Sequence, residues 1–198
     1  MKKLVLASFL FLGSLLPAHA QVEYGIIGGI NFAYFNQVPP LTDAISSLGY
    51  MLGGRATIGS NIFLEPELEF TSYGSTITLD ASNGDESRSS HKMRSNYIRI
   101  PLEAGAKIFD QAPVNIELRL GIAESALVGF TDEVTGGTGA PFTKSDISSF
   151  RTGGLIGGGV RLFFLKLDLE YEWALTNFFV NRGDAKQSAL YIILGGNF

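Results

Sequence analysis

The 198-residue sequence predicts an all-β chain, an eight-stranded antiparallel up-and-down transmembrane β-barrel. Three observations lead there. Apolar residues recur at every second position over runs of about ten to thirteen residues, whereas globular strands usually run five or six. The runs are joined alternately by short and long connections, which sorts tight turns to one rim and long loops to the other. The first twenty residues have the make-up of an export signal.

That leader comes first in the chain. Met1–Lys3 is basic, "LVLASFLFLGSLL" is apolar, and "PAHA" ends in small residues at Ala18 and Ala20. The apolar run is short of the roughly 20 residues a spanning helix needs, so residues 1–20 read as a signal peptide cleaved after Ala20. Residues 21–198 form the single remaining domain. Without Lys2 and Lys3 it carries 13 basic and 19 acidic residues, a net charge of −6. No later stretch has eighteen consecutive apolar residues, so any crossing of a membrane falls to strands.

The strands follow in order. Residues 22–34 set Val22, Tyr24, Ile26, Ile30, Phe32 and Tyr34 on one face. Residues 48–58 set Leu48, Tyr50, Leu52 and Ile58 against Arg55 and Thr57. In "FLEPELEF", Leu64, Leu68 and Phe70 oppose Glu65, Glu67 and Glu69. Residues 96–108 set Ile98, Ile100 and Leu102 against Arg99, Glu103 and Lys107. Residues 114–126 set Leu118, Leu120 and Ile122 against Glu117 and Arg119. Residues 152–162 are glycine-rich, with Arg161 opposite Val160 and Leu162. Residues 165–175 set Leu167 and Leu169 against Lys166, Asp168, Glu170 and Glu172, and residues 188–198 close the set at Phe198. Short connections fall at 59–61, 109–113 and 163–164, and long ones at 36–47, 73–95, 127–150 and 177–187. Tyr24, Tyr34, Tyr50, Phe70, Tyr97, Trp173 and Phe198 stand near strand ends, where rings favour a membrane interface.

The segments "EYGIIGGINFAYF", "IFLEPELEFTSYG", "NYIRIPLEAGAKIF" and "LIGGGVRLFFLKLDLEYEWALTNF" resemble the small outer-membrane β-barrels of Bacteroidetes, called porin-family or PorT-like barrels. The resemblance covers nearly the whole of residues 21–198. It implies an eight-stranded barrel in the cell outer membrane, surrounded by lipid and delivered by periplasmic chaperones and the barrel-assembly machinery. It implies no one biochemical activity. The terminal Phe198 of "LYIILGGNF" is similar to the C-terminal signal that this machinery reads.

Chemistry has few footholds. The chain has no cysteine, so disulfides and thiolate metal sites are excluded, and no basic patch points to nucleic acid. His91, the only histidine after the leader, reads as a solvated residue of a polar loop beside Lys92. Ser87, Ser89, Ser90 and Asp85 are its neighbours in sequence, but such a loop offers no rigid nucleophile and base. "GGG" at 157–159 precedes no helix and is no phosphate cradle. Asp80, Asp85 and Glu86 read as solvated loop carboxylates. No catalytic residue, metal ligand or cofactor is assigned, and the protein is not read as an enzyme.

The charged face carries more information. Two assignments compete: grease to lipid with charge inside, or grease to a core with charge to water. The loop asymmetry, leader and terminal Phe198 favour the first. Arg55, Glu65, Glu67, Glu69, Arg99, Glu103, Lys107, Glu117, Arg119, Arg151, Arg161, Lys166, Asp168, Glu170 and Glu172 then face the lumen. These eight acids and seven bases near balance point to cross-strand ion pairing. Glu65, Glu67 and Glu69 are expected to face Arg55 and Arg99, in an interior that eight strands leave just wide enough for side chains. Leu64, Leu68, Phe70, Ile98, Ile100, Leu102, Leu167 and Leu169 face lipid. The functional reading is a structural or interaction role through four long external loops, with an unknown ligand there. The alternatives are a narrow channel for ions or small solutes, an outer-membrane enzyme, and a soluble carrier barrel with its apolar face inward.

Overall fold

The computed structural model describes residues 21–35, 41–79, 89–135, 141–180 and 185–198. Eight strands, β1 (Val22–Phe35), β2 (Leu41–Gly59), β3 (Ile62–Leu79), β4 (Ser89–Gln111), β5 (Val114–Thr135), β6 (Phe150–Leu162), β7 (Leu165–Ala174) and β8 (Gln187–Asn197), pair antiparallel in sequence order. β8 returns to β1, with Gly28 opposite Leu194, and closes the barrel. Closure removes the two edges an open sheet would expose. Outside the strands, one turn of 3-10 helix spans Lys144–Asp146, headed by Thr143.

Tight turns hold one rim. Gly59 takes φ 127°, a left-handed conformation that only glycine adopts freely, and Ser60–Asn61 links β2 to β3. Phe163, at φ 55°, supplies the positive φ that the two-residue β6–β7 hairpin needs. Along β7 the side chains alternate outside and inside without a break: Leu165, Leu167, Leu169, Tyr171 and Trp173 are exposed, and Lys166, Asp168, Glu170 and Glu172 are buried. The greasy face of the alternation is therefore the outward one.

The strands reach further than the apolar alternation. β2 begins at Leu41, β3 runs to Leu79, β4 spans 23 residues from Ser89, and β5 runs to Thr135. Much of the presumed long connections at 36–47, 73–95 and 127–150 is thus ladder, with Ile77 opposite His91 and His91 opposite Val134. The cause is a change of solvent. Above Phe70 and Ile98 the outward positions become Ser72, Thr76, Asn96, Arg94 and Lys92, so an apolar outer face no longer marks the strand. Residues 1–20 and the loop residues Asp80, Asp85, Glu86 and Ser87 lie outside the described residues.

The barrel interior as candidate functional site

The inward positions of β2, β3, β4, β5 and β7 bring charged side chains from distant parts of the chain into contact. They form two layers. In the layer nearer the tight turns, Arg55 lies 3.0 Å from Glu67, 3.6 Å from Glu65 and 2.7 Å from Asp168. Arg119 lies 2.9 Å from Glu103, 2.6 Å from Glu117, 3.5 Å from Glu65 and 2.8 Å from Asp168. Lys166 bonds Glu65 at 3.0 Å and also pairs with Glu117. Thr57 donates a further bond to Glu65 at 2.6 Å. Above this layer Arg99 alone serves three carboxylates: Glu69 at 2.7 Å, Glu170 at 2.5 Å and Glu172 at 2.9 Å. The Arg99 guanidinium lies over the Tyr191 ring at 4.5 Å, and Tyr191 donates to Glu172 at 3.0 Å. Tyr73 and Tyr191 share a hydroxyl–hydroxyl bond.

Carboxylate oxygens of Glu65, Glu67 and Glu103 lie within 4.8 Å of one another, close enough in principle to hold a cation. Arg55 and Arg119 already stand within 3.6 Å of Glu65, and Lys166 bonds it, so this cluster is accounted for by ion pairing.

Three of the expected lumen bases stand apart from these layers. Lys107 is half-buried beside a β-bulge and lies 3.9 Å from Asp110 at the tight-turn rim. Arg161 pairs at 2.5 Å with Glu23 on β1, a residue whose odd position in that strand placed it on the inward face. Arg151 has no carboxylate within reach among the described residues. It donates to the Gln187 side chain at 2.8 Å and backbone oxygen at 2.6 Å, and is ringed by Tyr73, Tyr97 and Phe178 at 5.2–5.7 Å. The near balance of eight acids and seven bases therefore does not describe the two layers, which hold the same eight acids but only four bases: Arg55, Arg99, Arg119 and Lys166. Nor does Glu67 pair with Arg99; its partner is Arg55.

Tyr97 is not an interface ring. It is fully buried against Tyr73, because its odd position shares the face of Arg99. His91 is not a solvated loop residue either. It sits in β4, has no exposed surface, and its Nδ1 lies 2.7 Å from Asp132 Oδ2. Asp132 also accepts the Phe142 backbone N–H at 2.8 Å, and the Phe142 ring packs on the imidazole at 4.9 Å. Sequence gave no signal for this, since Asp132 is 41 residues away. Phe142, Ile147, Phe178 and Phe179 complete an apolar cap over the wide rim with Ile77 and Met93. Asp132→Asn is expected to speed proteolysis within 141–149 of the embedded barrel about tenfold, the effect of weakening charge-assisted bonds worth ~1.5–3 kcal/mol. An unchanged rate would assign the cap to its aromatic contacts alone.

Outside, Leu68, Phe70, Ile98, Ile100, Leu102, Leu167 and Leu169 are exposed and Leu64 is half-exposed. Tyr24, Tyr34, Trp173 and Phe198 are exposed near strand ends, whereas Tyr50 is exposed in the middle of β2. Phe198 exchanges two backbone bonds with Tyr24, 3.1 and 2.7 Å, and so seals the β8–β1 seam.

The sequence matches the family model of the outer membrane protein beta-barrel domain over residues 17–180. No curated protein matches. Among solved structures, similar chains include Ail, the attachment invasion locus protein of Yersinia pestis, in complex with the heparin analogue sucrose octasulfate. It is 14% identical over 90% of this chain and 99% of that one, with a TM-score of 0.46. Neisserial surface protein A is 15% identical over 88% and 97%, at 0.46. OprG from Pseudomonas aeruginosa is 12% identical over 92% and 99%, at 0.42.

Proposed function

Since the chain belongs to the outer membrane protein beta-barrel domain family and resides in the outer membrane, we propose that it is a plugged barrel with a structural or interaction role exercised at its outer rim. The observation that carries this reading is the Arg99 layer. One guanidinium with no exposed side-chain surface ties β4 to carboxylates of β3 and β7 across the interior. Such a crossing occupies the space that a water column would need. The aromatic cap closes the same end again.

The reading extends to five further features. The quoted motifs are those of the Bacteroidetes-type, PorT-like barrels, so that finer membership is part of it. Residues 1–20 are removed on export, and Phe198 is read by the assembly machinery. The lipid-facing set Leu64, Leu68, Phe70, Ile98, Ile100, Leu102, Leu167 and Leu169 meets acyl chains. His91 and Asp132 hold the cap rather than perform catalysis, being buried together under Phe142.

The narrow channel is the second reading, and the excess of eight acids over four bases in the layers favours it, because an opened interior would select cations. Planar-bilayer recording of the purified barrel separates the two. The expected result is no steady current above that of the bare membrane. A stable, cation-selective conductance step would establish the channel.

A further inference from the structure

The outer surface of β3 and β4 changes character above Phe70 and Ile98, whereas on β5 the exposed carboxylate of Glu124 already stands opposite Ile100 and accepts from Thr152. Leu68, Phe70, Ile98, Ile100, Leu120 and Ile122 are exposed apolar side chains. Above them, beyond Ser72 and Asn96, Arg94 and Lys92 point outward from β4, two residues and so about 6.6 Å apart along the strand. Arg94 stands between Gly74 and Thr131, and Lys92 between Thr76 and Glu133. Ser47, Lys92, Arg94, Thr131 and Glu133 line a surface recess of about 140 Å³ over Gly74.

The Arg94 guanidinium is fixed at the boundary: it lies 5.8 Å from the centre of the Tyr50 ring and donates to Ser72 Oγ at 3.2 Å. Tyr50 in turn packs on Phe70, the last apolar outward residue of β3. A third cation, Lys144, reaches this face by bonding the Val128 carbonyl on β5 at 3.2 Å. In the layers inside the barrel every base is met by carboxylates. Here neither Lys92 nor Arg94 has an ion pair among the described residues, and one carboxylate, Glu133, shares the recess with these two cations. Elsewhere around the barrel, Tyr34, Phe150 and Trp173 mark the long-connection ends of β1, β6 and β7 with exposed rings.

Unpaired cations above an apolar band, beside an exposed ring, stand where the headgroups of the outer leaflet lie. We infer that this face binds a lipid of the outer leaflet through a headgroup phosphate. Its acyl chains lie along Leu68, Phe70, Ile98 and Ile100. Its phosphate sits between Lys92 and Arg94, with Thr131 supplying a hydroxyl. This inference rests on the outer-membrane setting and is independent of whether the interior is plugged.

Native mass spectrometry of the detergent-purified full barrel tests it, using bisphosphorylated lipid A, the same glycolipid with its phosphates removed, and inorganic phosphate. Wild type is expected to retain the phosphorylated lipid in preference to the dephosphorylated one. The double substitution Lys92→Gln with Arg94→Gln is expected to lower that preference roughly thirtyfold, at about 1 kcal/mol for each basic residue near the surface. Heat-dependent gel mobility confirms that the variant is folded. Equal retention of both lipids by wild type, or an unchanged preference in the folded variant, would overturn the inference. So would inorganic phosphate that displaces the lipid at equal concentration, since the site would then recognise a free anion.

Discussion

Arg99→Gln is expected to be the most damaging single substitution inside the barrel, lowering stability by about 3–5 kcal/mol, the cost of breaking a buried ion pair by removing one partner. The wild-type guanidinium meets Glu69, Glu170 and Glu172 within 2.9 Å and also faces the Tyr191 ring. Without it three carboxylates share one dehydrated layer, and no other base of the interior lies within 4 Å of any of them among the described residues. Glu67→Gln supplies the contrast. Neither Glu67 oxygen receives a well-aligned hydrogen bond, and its partner Arg55 retains Asp168 at 2.7 Å. That change is expected to cost under about 1 kcal/mol, the net worth of one hydrogen bond. Trp173, the sole tryptophan, follows Glu172 in β7 and reports urea unfolding in lipid vesicles. Adding Glu69→Gln to Arg99→Gln should recover part of the loss, because one stranded charge is removed. Equal effects of the two single changes, or strict additivity in the double variant, would mean that water reaches the interior and screens these charges.

Leu68→Arg is expected to cost about 2–4 kcal/mol, the penalty of a cation on the lipid face near the bilayer midplane. Leu68 is 60% exposed and stands opposite Gly54 of β2. It lies one outward position from Pro66, the middle of the run Ile62, Leu64, Pro66, Leu68 and Phe70. The arginine could reach water only by spanning half the apolar band. Leu68→Ala should be far milder, because Leu68 has few neighbours to lose and lipid fills the space. The folded fraction in vesicles, read from heat-dependent gel mobility, measures both. Equal tolerance of Arg and Ala would show that this face meets water.

Several features were legible because they are set by the nearest neighbours in the chain. Side chains of a strand alternate faces with period two, so "FLEPELEF" and "LKLDLEYEW" assign every residue to one of two faces. Short turns between such runs enforce antiparallel neighbours. Eight runs so joined determine the strand number, the order and the up-and-down topology. The same local rule failed above Phe70 and Ile98, where it took the polar outer face of β3, β4 and β5 for loop. The backbone ladder continues there regardless of what the outer side chains prefer.

Tertiary structure alone decided who meets whom. Lys166 and Glu65 are 101 residues apart, and Arg55 and Asp168 are 113 apart. Such partners depend on strand register and on the curvature that brings β2 and β3 across from β7. A list of charges on one face contains neither. That is why Arg151 could be placed inward but not among tyrosines, and why Glu65, Glu67 and Glu69 could be set against Arg55 and Arg99 but not assigned partner by partner. It is also why His91, polar in every local respect, ended buried on Asp132. The sequence by itself determined the eight strands and their two faces, because alternation is written into successive residues. The tertiary structure decided the pairing inside and the reach of the strands outside, because those depend on closure of the barrel and on the solvent each level of its wall meets.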